Sequence, residues 1–187
     1  MAQGTRLIFL GPPGAGKGTQ AQVLAADCKI PHISTGEILR QAISDKTVLG
    51  IKAKGFVDKG ELVPDNLILD LIRERLKQAD AADGWILDGF PRNVSQAEFL
   101  GVLLNELEQS CDFAINLEVS DDVLIDRLLG RGRKDDNRST IARRLEVYHE
   151  QTAPVIHFYE SQDALKSVDG DRPMDEVTEA LKACLVN

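Results

Sequence analysis

The stretch GPPGAGKGTQ, residues 11–20, follows a short apolar run and decides which fold this chain can adopt. Gly11, Gly16 and Lys17 meet the phosphate-loop pattern G-x-x-x-x-G-K-[ST]. Gly18, however, stands where a serine or threonine usually binds magnesium, and the hydroxyl residue comes one place later. The stretch therefore predicts a strand, a phosphate-binding loop and a helix. It leaves open whether the motif is damaged or belongs to a different class of enzyme.

The loop has the chemistry needed to hold phosphate. Backbone N–H groups from Gly14 to Thr19 can surround phosphate oxygens, because glycine permits unusual conformations and close approach. The amino end of the next helix adds partial positive charge, and Lys17 is expected to contact the terminal phosphates. A glycine-rich turn without a ligand would explain the glycines but not the lysine. A dinucleotide fingerprint does not fit, because its third small residue is absent.

Composition limits the classes of protein. A length of 187 residues favours a single domain that spans residues 1–187. A composition of 43% hydrophobic and 28% charged residues is typical of a globular protein. No apolar run approaches the roughly 20 residues of a membrane span, so we expect a cytoplasmic protein without a membrane partner. The net charge of -8 argues against a nucleic-acid partner. The three cysteines are far apart, which predicts neither a disulfide framework nor a zinc site.

One segment of this acidic chain is rich in basic residues. Seven cations lie within the eighteen residues 127–144: Arg127, Arg131, Arg133, Lys134, Arg138, Arg143 and Arg144. Such a local cluster in an acidic chain predicts a small polyanion bound at one place.

Apolar runs alternate with helical patterns along the whole chain. Strands are predicted at 6–10, 30–34, 85–89, 112–120 and 165–170. Helices are predicted at 17–28, 35–44, 62–78, 93–109, 121–131, 139–162 with an interruption near Pro154, and 172–186. The alternation predicts an α/β, three-layer P-loop fold with a central five-stranded parallel sheet and helices on both faces.

Further motifs accompany the loop in a fixed order. They are STGEILR at 34–40, GELVPD at 60–65, LDGFPRNVSQ at 87–96, DRLLGRGRKDD at 126–136 and RRLEVYHEQTAPVI at 143–156. With these motifs the chain resembles the nucleoside monophosphate kinases from end to end, and adenylate kinases in particular. In that family glycine after the lysine is the norm. The resemblance implies that magnesium is held mainly by nucleotide phosphates and water, with Asp88 acting through water. Without the resemblance, Asp88 could equally cap the following turn.

The resemblance also implies which residues bind the two nucleotides. For the donor, ATP, they are Gly14, Ala15, Gly16, Lys17, Gly18, Thr19, Arg127, Arg131 and Arg172. For the acceptor, AMP, they are Thr35, Gly36, Arg40, Glu61, Leu62, Val63, Gly89, Phe90, Pro91, Arg92, Gln96, Arg133 and Arg144. The catalytic set is Lys17, Arg92, Arg127, Arg131, Arg133 and Arg144. Taken alone, Arg40 and Gln96 would more often be solvated helix residues.

Two polar segments are expected to cover the nucleotides. The first, 45–60, is long enough for a small helix and belongs to an insertion at 34–63 for the monophosphate. The second is a short lid at 130–138, in which Asp135 and Asp136 would pair with arginines. Arg138 and Arg143 fit an exposed charged helix better than a binding site. The short lid has neither the length nor the cysteines of zinc-binding relatives, so the family form implied uses Mg2+ without zinc.

The choice of base depends on few residues. Thr35 and Gln96 match the AMP-specific enzymes, whereas Asn93 is also common in pyrimidine kinases. We therefore expect transfer of the terminal phosphate of MgATP to AMP, giving two ADP, by a monomer. The alternatives are a UMP/CMP kinase, a nucleotide-dependent switch and a non-enzymatic scaffold.

Overall fold

The computed structural model describes residues 4–133 and 135–186. Its sheet has five strands, β1 Arg6–Leu10, β2 His32–Ser34, β3 Trp85–Asp88, β4 Phe113–Glu118 and β5 Leu165–Asp169. Its α-helices are α1 Lys17–Cys28, α2 Thr35–Ser44, α3 Val48–Lys59, α4 Asp65–Leu76, α5 Val94–Glu106, α6 Asp121–Arg131, α7 Arg138–Val147, α8 Pro154–Glu160 and α9 Met174–Val186. The predicted strands are all present, though four of the five are shorter than the patterns suggested.

The strands lie in the order β2-β3-β1-β4-β5, and every neighbouring pair is parallel. β1 lies at the centre, with Ile8 opposite both Leu87 of β3 and Ala114 of β4. Because all strands run the same way, their carboxyl ends meet at one edge of the sheet. In open parallel sheets ligands bind in the crevice at that edge.

Helices cover both faces, as the sequence predicts, and alternate residues of β1 point to opposite faces. Ile8 and Leu10 belong to one apolar cluster, with residues of α4, α5 and α8. Leu7 and Phe9 belong to the other, with residues of α1, α6 and α9. This alternation follows from the period of two in a strand, and it buries β1 on both sides.

The helical pattern predicted at 139–162 is interrupted near Pro154, as expected. The interruption is a π-helical turn at Tyr148–Thr152, which precedes the proline. Proline lacks an N–H and its ring clashes with the preceding turn of an α-helix, so the wider turn accommodates it and α8 starts at Pro154. In the polar segment at 45–60 the structure has α3, which packs against α2. The predicted lid at 130–138 spans the end of α6 and the connection to α7, and Lys134 lies outside the described residues.

Candidate functional site

The phosphate loop connects β1 to α1. Gly14 and Gly16 have positive φ values of 89° and 93°, which favour glycine. A methyl group at Gly14 would also lie 2.9 Å from Cγ of Leu128. Gly16 is the N-cap of α1 and has no side chain to occupy the helix amino end. The loop can therefore present backbone N–H groups to an anion.

Lys17 lies under this loop. Its Nζ donates hydrogen bonds of 2.8 Å to the carbonyl oxygens of Gly11 and Pro12. Burial, together with the charges of Arg92 and Arg131, lowers the pKa of Lys17 from its usual 10.5 to about 8, although Asp88 opposes the change. A phosphate group would supply the negative charge that the buried ammonium lacks.

Asp88 ends β3 beside the loop, where a methyl group placed on Gly18 would lie 3.5 Å from Asp88 Oδ2. His32 of β2 places Nε2 3.4 Å from the same carboxylate oxygen. Burial opposes ionisation, but the His32 hydrogen bond and the charges of Lys17 and Arg92 outweigh it and hold the pKa of Asp88 below its usual value. The buried carboxylate is thus ionised and faces the cavity next to the phosphate loop.

A cavity of about 640 Å³ extends from the phosphate loop across the carboxyl edge of the sheet. Of the residues predicted to bind nucleotide or metal, those lining it are Gly14, Gly16, Lys17, Gly18, Thr19, Thr35, Gly36, Arg40, Glu61, Leu62, Val63, Asp88, Gly89, Pro91, Arg92, Gln96, Arg127, Arg131, Arg133 and Arg144. Its volume is in the range of small-molecule sites. The fold therefore brings together residues that are far apart in sequence.

Three predicted residues do not line this cavity. Ala15 and Phe90 are 4% and 1% exposed and belong to the core clusters next to it. Arg172 is exposed, and its Nε donates to Asp169 at 3.1 Å. The nucleotide-binding roles of these residues stay predictions.

The side of the cavity predicted to bind the acceptor is built where α2 meets the end of β3. Thr35 donates from Oγ1 to the carbonyl oxygens of Asp88 at 3.3 Å and Gly89 at 2.8 Å. Arg92 donates from Nε to the same Gly89 oxygen at 2.8 Å. Gly89 has a φ of 80°, and a methyl group there would lie 2.7 Å from Thr35 Oγ1. The glycine therefore allows the threonine and arginine to converge on one carbonyl.

Arg92 is exposed to water in the cavity, although many protein atoms surround its guanidinium group. That surrounding protein lowers the pKa of Arg92 by burial, with Arg144 adding to the effect and Asp88 opposing it. Arg40 behaves similarly: burial lowers its pKa, while Asp135 opposes and Arg131 adds to the change. Both guanidinium groups would be stabilised by an anion in the cavity.

The lid carboxylates pair with the arginines, as the resemblance implies. Asp136 accepts from Arg131 at 2.8 and 2.7 Å and from Arg144 at 3.0 Å, and Asp135 accepts from Arg144. Burial disfavours ionisation of Asp136, but the hydrogen bond and charge of Arg131 hold its pKa below the usual value. Arg127 donates to the Gly170 carbonyl at 3.0 Å.

Arg143 does not line the cavity, and its partly exposed side chain pairs with a residue of another segment. Its Nε and one terminal nitrogen donate to the two carboxylate oxygens of Glu61 at 2.7 and 3.2 Å. Thr140, one turn earlier on α7, donates from Oγ1 to the Asp58 carbonyl at 3.3 Å. The 34–63 segment is therefore attached to α7. Arg138 is exposed, as predicted.

Several residues of the site were missed at the level of sequence. Ser34, Gln22, Val147, Tyr148 and Thr152 also line the cavity. Thr152 donates from Oγ1 to the Arg92 carbonyl at 2.8 Å. The sequence indicated the last three only by their place in the motif RRLEVYHEQTAPVI at 143–156.

Within the described residues, no group of three or more histidine, cysteine, aspartate or glutamate side chains could hold a metal ion. The single carboxylate of Asp88 beside the phosphate loop fits an ion whose other ligands are phosphate oxygens and water. Among those residues there is also no helix with the length and apolar character needed to cross a bilayer.

Comparison with known proteins agrees with this arrangement. The family model described as adenylate kinase matches residues 9–164. "Adenylate kinase 1" of Nostoc sp. is 60% identical over 181 residues, which cover 97% of this chain and 98% of that protein. "Adenylate kinase 1" of Synechocystis sp. is 58% identical, with 97% of each chain covered. "Adenylate kinase" of Trichodesmium erythraeum is 54% identical, with 95% of each covered.

Proposed function

This chain belongs to the adenylate kinase family, and on that premise we propose that it transfers the terminal phosphate of MgATP to AMP, giving two ADP. The observation that supports this most is one cavity lined both by the phosphate loop with Lys17 and by arginines from distant segments. ATP and AMP together carry several phosphate groups. If the two nucleotides lie with their phosphates facing each other, the phosphates of each would contact one set of these cations, and both sets line the same cavity.

Phosphoryl transfer passes through a loose transition state that needs in-line placement and charge stabilisation more than covalent help. We assign Lys17, Arg127 and Arg131 to the donor phosphates, and Arg40 and Arg92 to the acceptor phosphate. Arg133 and Arg144 would contact the transferring group. The pKa shifts support these roles, because burial disfavours the charged forms of Lys17 and Arg92 and a bound phosphate would offset that cost.

Bound magnesium would neutralise charge on the donor phosphates and orient them. Asp88 fits its support through water, because the carboxylate is ionised and close to Gly18. This arrangement also explains how the chain does without the usual hydroxyl ligand after the lysine. No side chain need remove a proton, since the acceptor is already an anionic phosphate.

Closure of the 34–63 insertion and the 130–138 lid would exclude water, which would otherwise accept the phosphate. The ion pairs of Asp135 and Asp136 with Arg131 and Arg144 support a lid that holds its arginines near the cavity. We keep the sequence-based expectation of a monomer acting in the cytoplasm.

A coupled assay tests the proposal. The pure protein with MgATP is offered AMP, CMP, UMP or GMP, and ADP formation is measured. We expect ADP with AMP far above the other three. Faster turnover with UMP or CMP would support the pyrimidine kinase alternative, and no ADP with any acceptor would refute a kinase.

A further inference from the structure

Gln96, the residue expected to contact the acceptor base, is held at both ends of its side-chain amide. Its Oε1 accepts from the backbone N–H of Arg92 at 2.7 Å. Its Nε2 donates to Oδ1 of Asp65 at 2.7 Å. Gln96 is only 2% exposed and yet lines the cavity, so a small part of the residue faces the ligand space.

Asp65 is itself fixed from a second direction. Asn93 donates from Nδ2 to the same Asp65 Oδ1 at 3.3 Å, and it accepts from the backbone N–H of Gln96 at 2.8 Å. Asp65 is the first residue of α4, whereas Asn93 is the N-cap of α5. The two helix starts and the amide thus form one hydrogen-bonded group beside the cavity.

This group determines which way the amide points. The backbone N–H of Arg92 can only donate, so it requires Oε1. The Asp65 oxygen already accepts from Asn93 and requires the donor Nε2. Rotating the amide by 180° would place two acceptors together and two donors together. The Gln96 side chain therefore has one orientation.

The fixed orientation leaves one donor and one acceptor for a base. Nε2 has a second hydrogen, and Oε1 has a second lone pair. A 6-amino purine offers an acceptor at N1 next to a donor at N6, whereas a 6-oxo purine offers a donor at N1 next to an acceptor at O6. A base whose phosphate is bound by Arg92 would reach the amide in one direction, so only one of the two patterns would match, and under the proposed function that is the 6-amino pattern.

We propose that Asp65 is a positioning residue for base selection, which locks the Gln96 amide so that the site accepts 6-amino and rejects 6-oxo purine monophosphates. The inference rests on the proposed function, because it assumes that Gln96 contacts the acceptor base. Asp65 does not touch the base itself. Without it, only the Arg92 N–H still orients the amide, so rotation to the opposite pattern costs less free energy.

The alternative is that Asp65 only stabilises the amino end of α4, where an acidic residue is favourable. That role affects the stability of the fold and acts equally on all acceptors. A selectivity ratio separates the two roles, because a stability effect cancels from the ratio of kcat/KM values for two acceptors.

The experiment compares kcat/KM for AMP with kcat/KM for inosine monophosphate at fixed MgATP. We expect Asp65→Leu to lower the AMP preference about tenfold, since the part-buried hydrogen bond that orients the Gln96 amide is lost. Asp65→Asn should keep the preference within about threefold, because its Oδ1 can still accept from Nε2. Asp70→Leu, an exposed acid on the same helix, is the matched control and should leave the preference unchanged.

The outcomes distinguish this inference from the proposed function. A wild-type protein that makes no ADP from AMP refutes the function. A wild-type protein that prefers AMP, with the same preference in Asp65→Leu, overturns the role of Asp65 alone. If Asp65→Leu does not fold, Asp65→Ala gives the same ratio without added bulk. Failure of both to fold would show a structural residue and would also overturn the proposal.

Discussion

The contact between α2 and α3 offers a sharp test of how the proposed acceptor side of the cavity is built. α2 carries Thr35 and Arg40, and the chain after α3 leads to the Glu61 segment. Gly50 of α3 is buried against α2: a methyl group there would lie 2.6 Å from the backbone nitrogen of Ile43 and closer still to the Ala42 carbonyl. Backbone cannot yield as a flexible side chain can, so Gly50→Ala must push the helices apart.

Gly55 is the matched control, because it lies in the same helix and a methyl group there meets nothing within 4 Å. Both substitutions gain the helix propensity of alanine, about 0.5–1 kcal/mol. Their difference therefore isolates the overlap at Gly50, which should cost about 1–3 kcal/mol. That free energy corresponds to roughly 5- to 150-fold in an equilibrium constant.

The assay is steady-state kinetics with each nucleotide varied, together with thermal unfolding. Relative to Gly55→Ala, we expect Gly50→Ala to raise KM for AMP by up to that factor, with KM for ATP little changed. The difference in Tm should be about 2–12 °C for a chain of this size. Equal KM values for AMP and equal Tm in both variants would refute direct backbone contact between α2 and α3.

Four further predictions concern Lys17 and Arg143. Lys17→Met should lower kcat about 10²- to 10³-fold, because one preorganised hydrogen-bond donor is lost. Single-turnover kinetics measures the transfer step directly, and a near-normal rate there would contradict the assignment. Because the pKa of Lys17 is lowered to about 8, ATP should bind less tightly as pH rises through 8. Proton uptake on ATP binding, measured calorimetrically in two buffers, should disappear in Lys17→Met. The lysine of the unfolded chain keeps its proton up to about pH 10.5. The contribution of Lys17 to the free energy of unfolding should therefore increase from pH 8 to 10.5. Arg143→Ala should raise KM for AMP a few-fold at low salt and less at high salt, because the insertion loses its ion pair to α7 through Glu61. Arg73→Ala, which removes the similarly exposed ion pair with Glu106, should leave KM for AMP unchanged.

The amino-acid sequence was sufficient to predict the local elements of this fold. The apolar run before GPPGAGKGTQ and the spacing after it predicted β1, the phosphate loop and α1. The alternation of runs predicted the parallel sheet and the helices on both faces. These features depend on backbone preferences and on periodicities of two and 3.6 residues, which act over a few neighbouring residues.

Partners far apart in sequence could not be predicted in this way. Nothing near Asp65 indicates that its carboxylate meets Gln96, and nothing near Arg143 indicates Glu61. Each contact depends on how helices pack over the sheet, and so on the strand order β2-β3-β1-β4-β5.

The sequence by itself determined the phosphate chemistry of this protein, because the loop that supplies it is continuous in the chain. Only the tertiary structure decided which way the Gln96 amide points and which segment Arg143 holds. Hydrogen bonds and ion pairs are short-ranged, so their partners are settled only when packing has brought distant backbone segments within a few ångströms of each other.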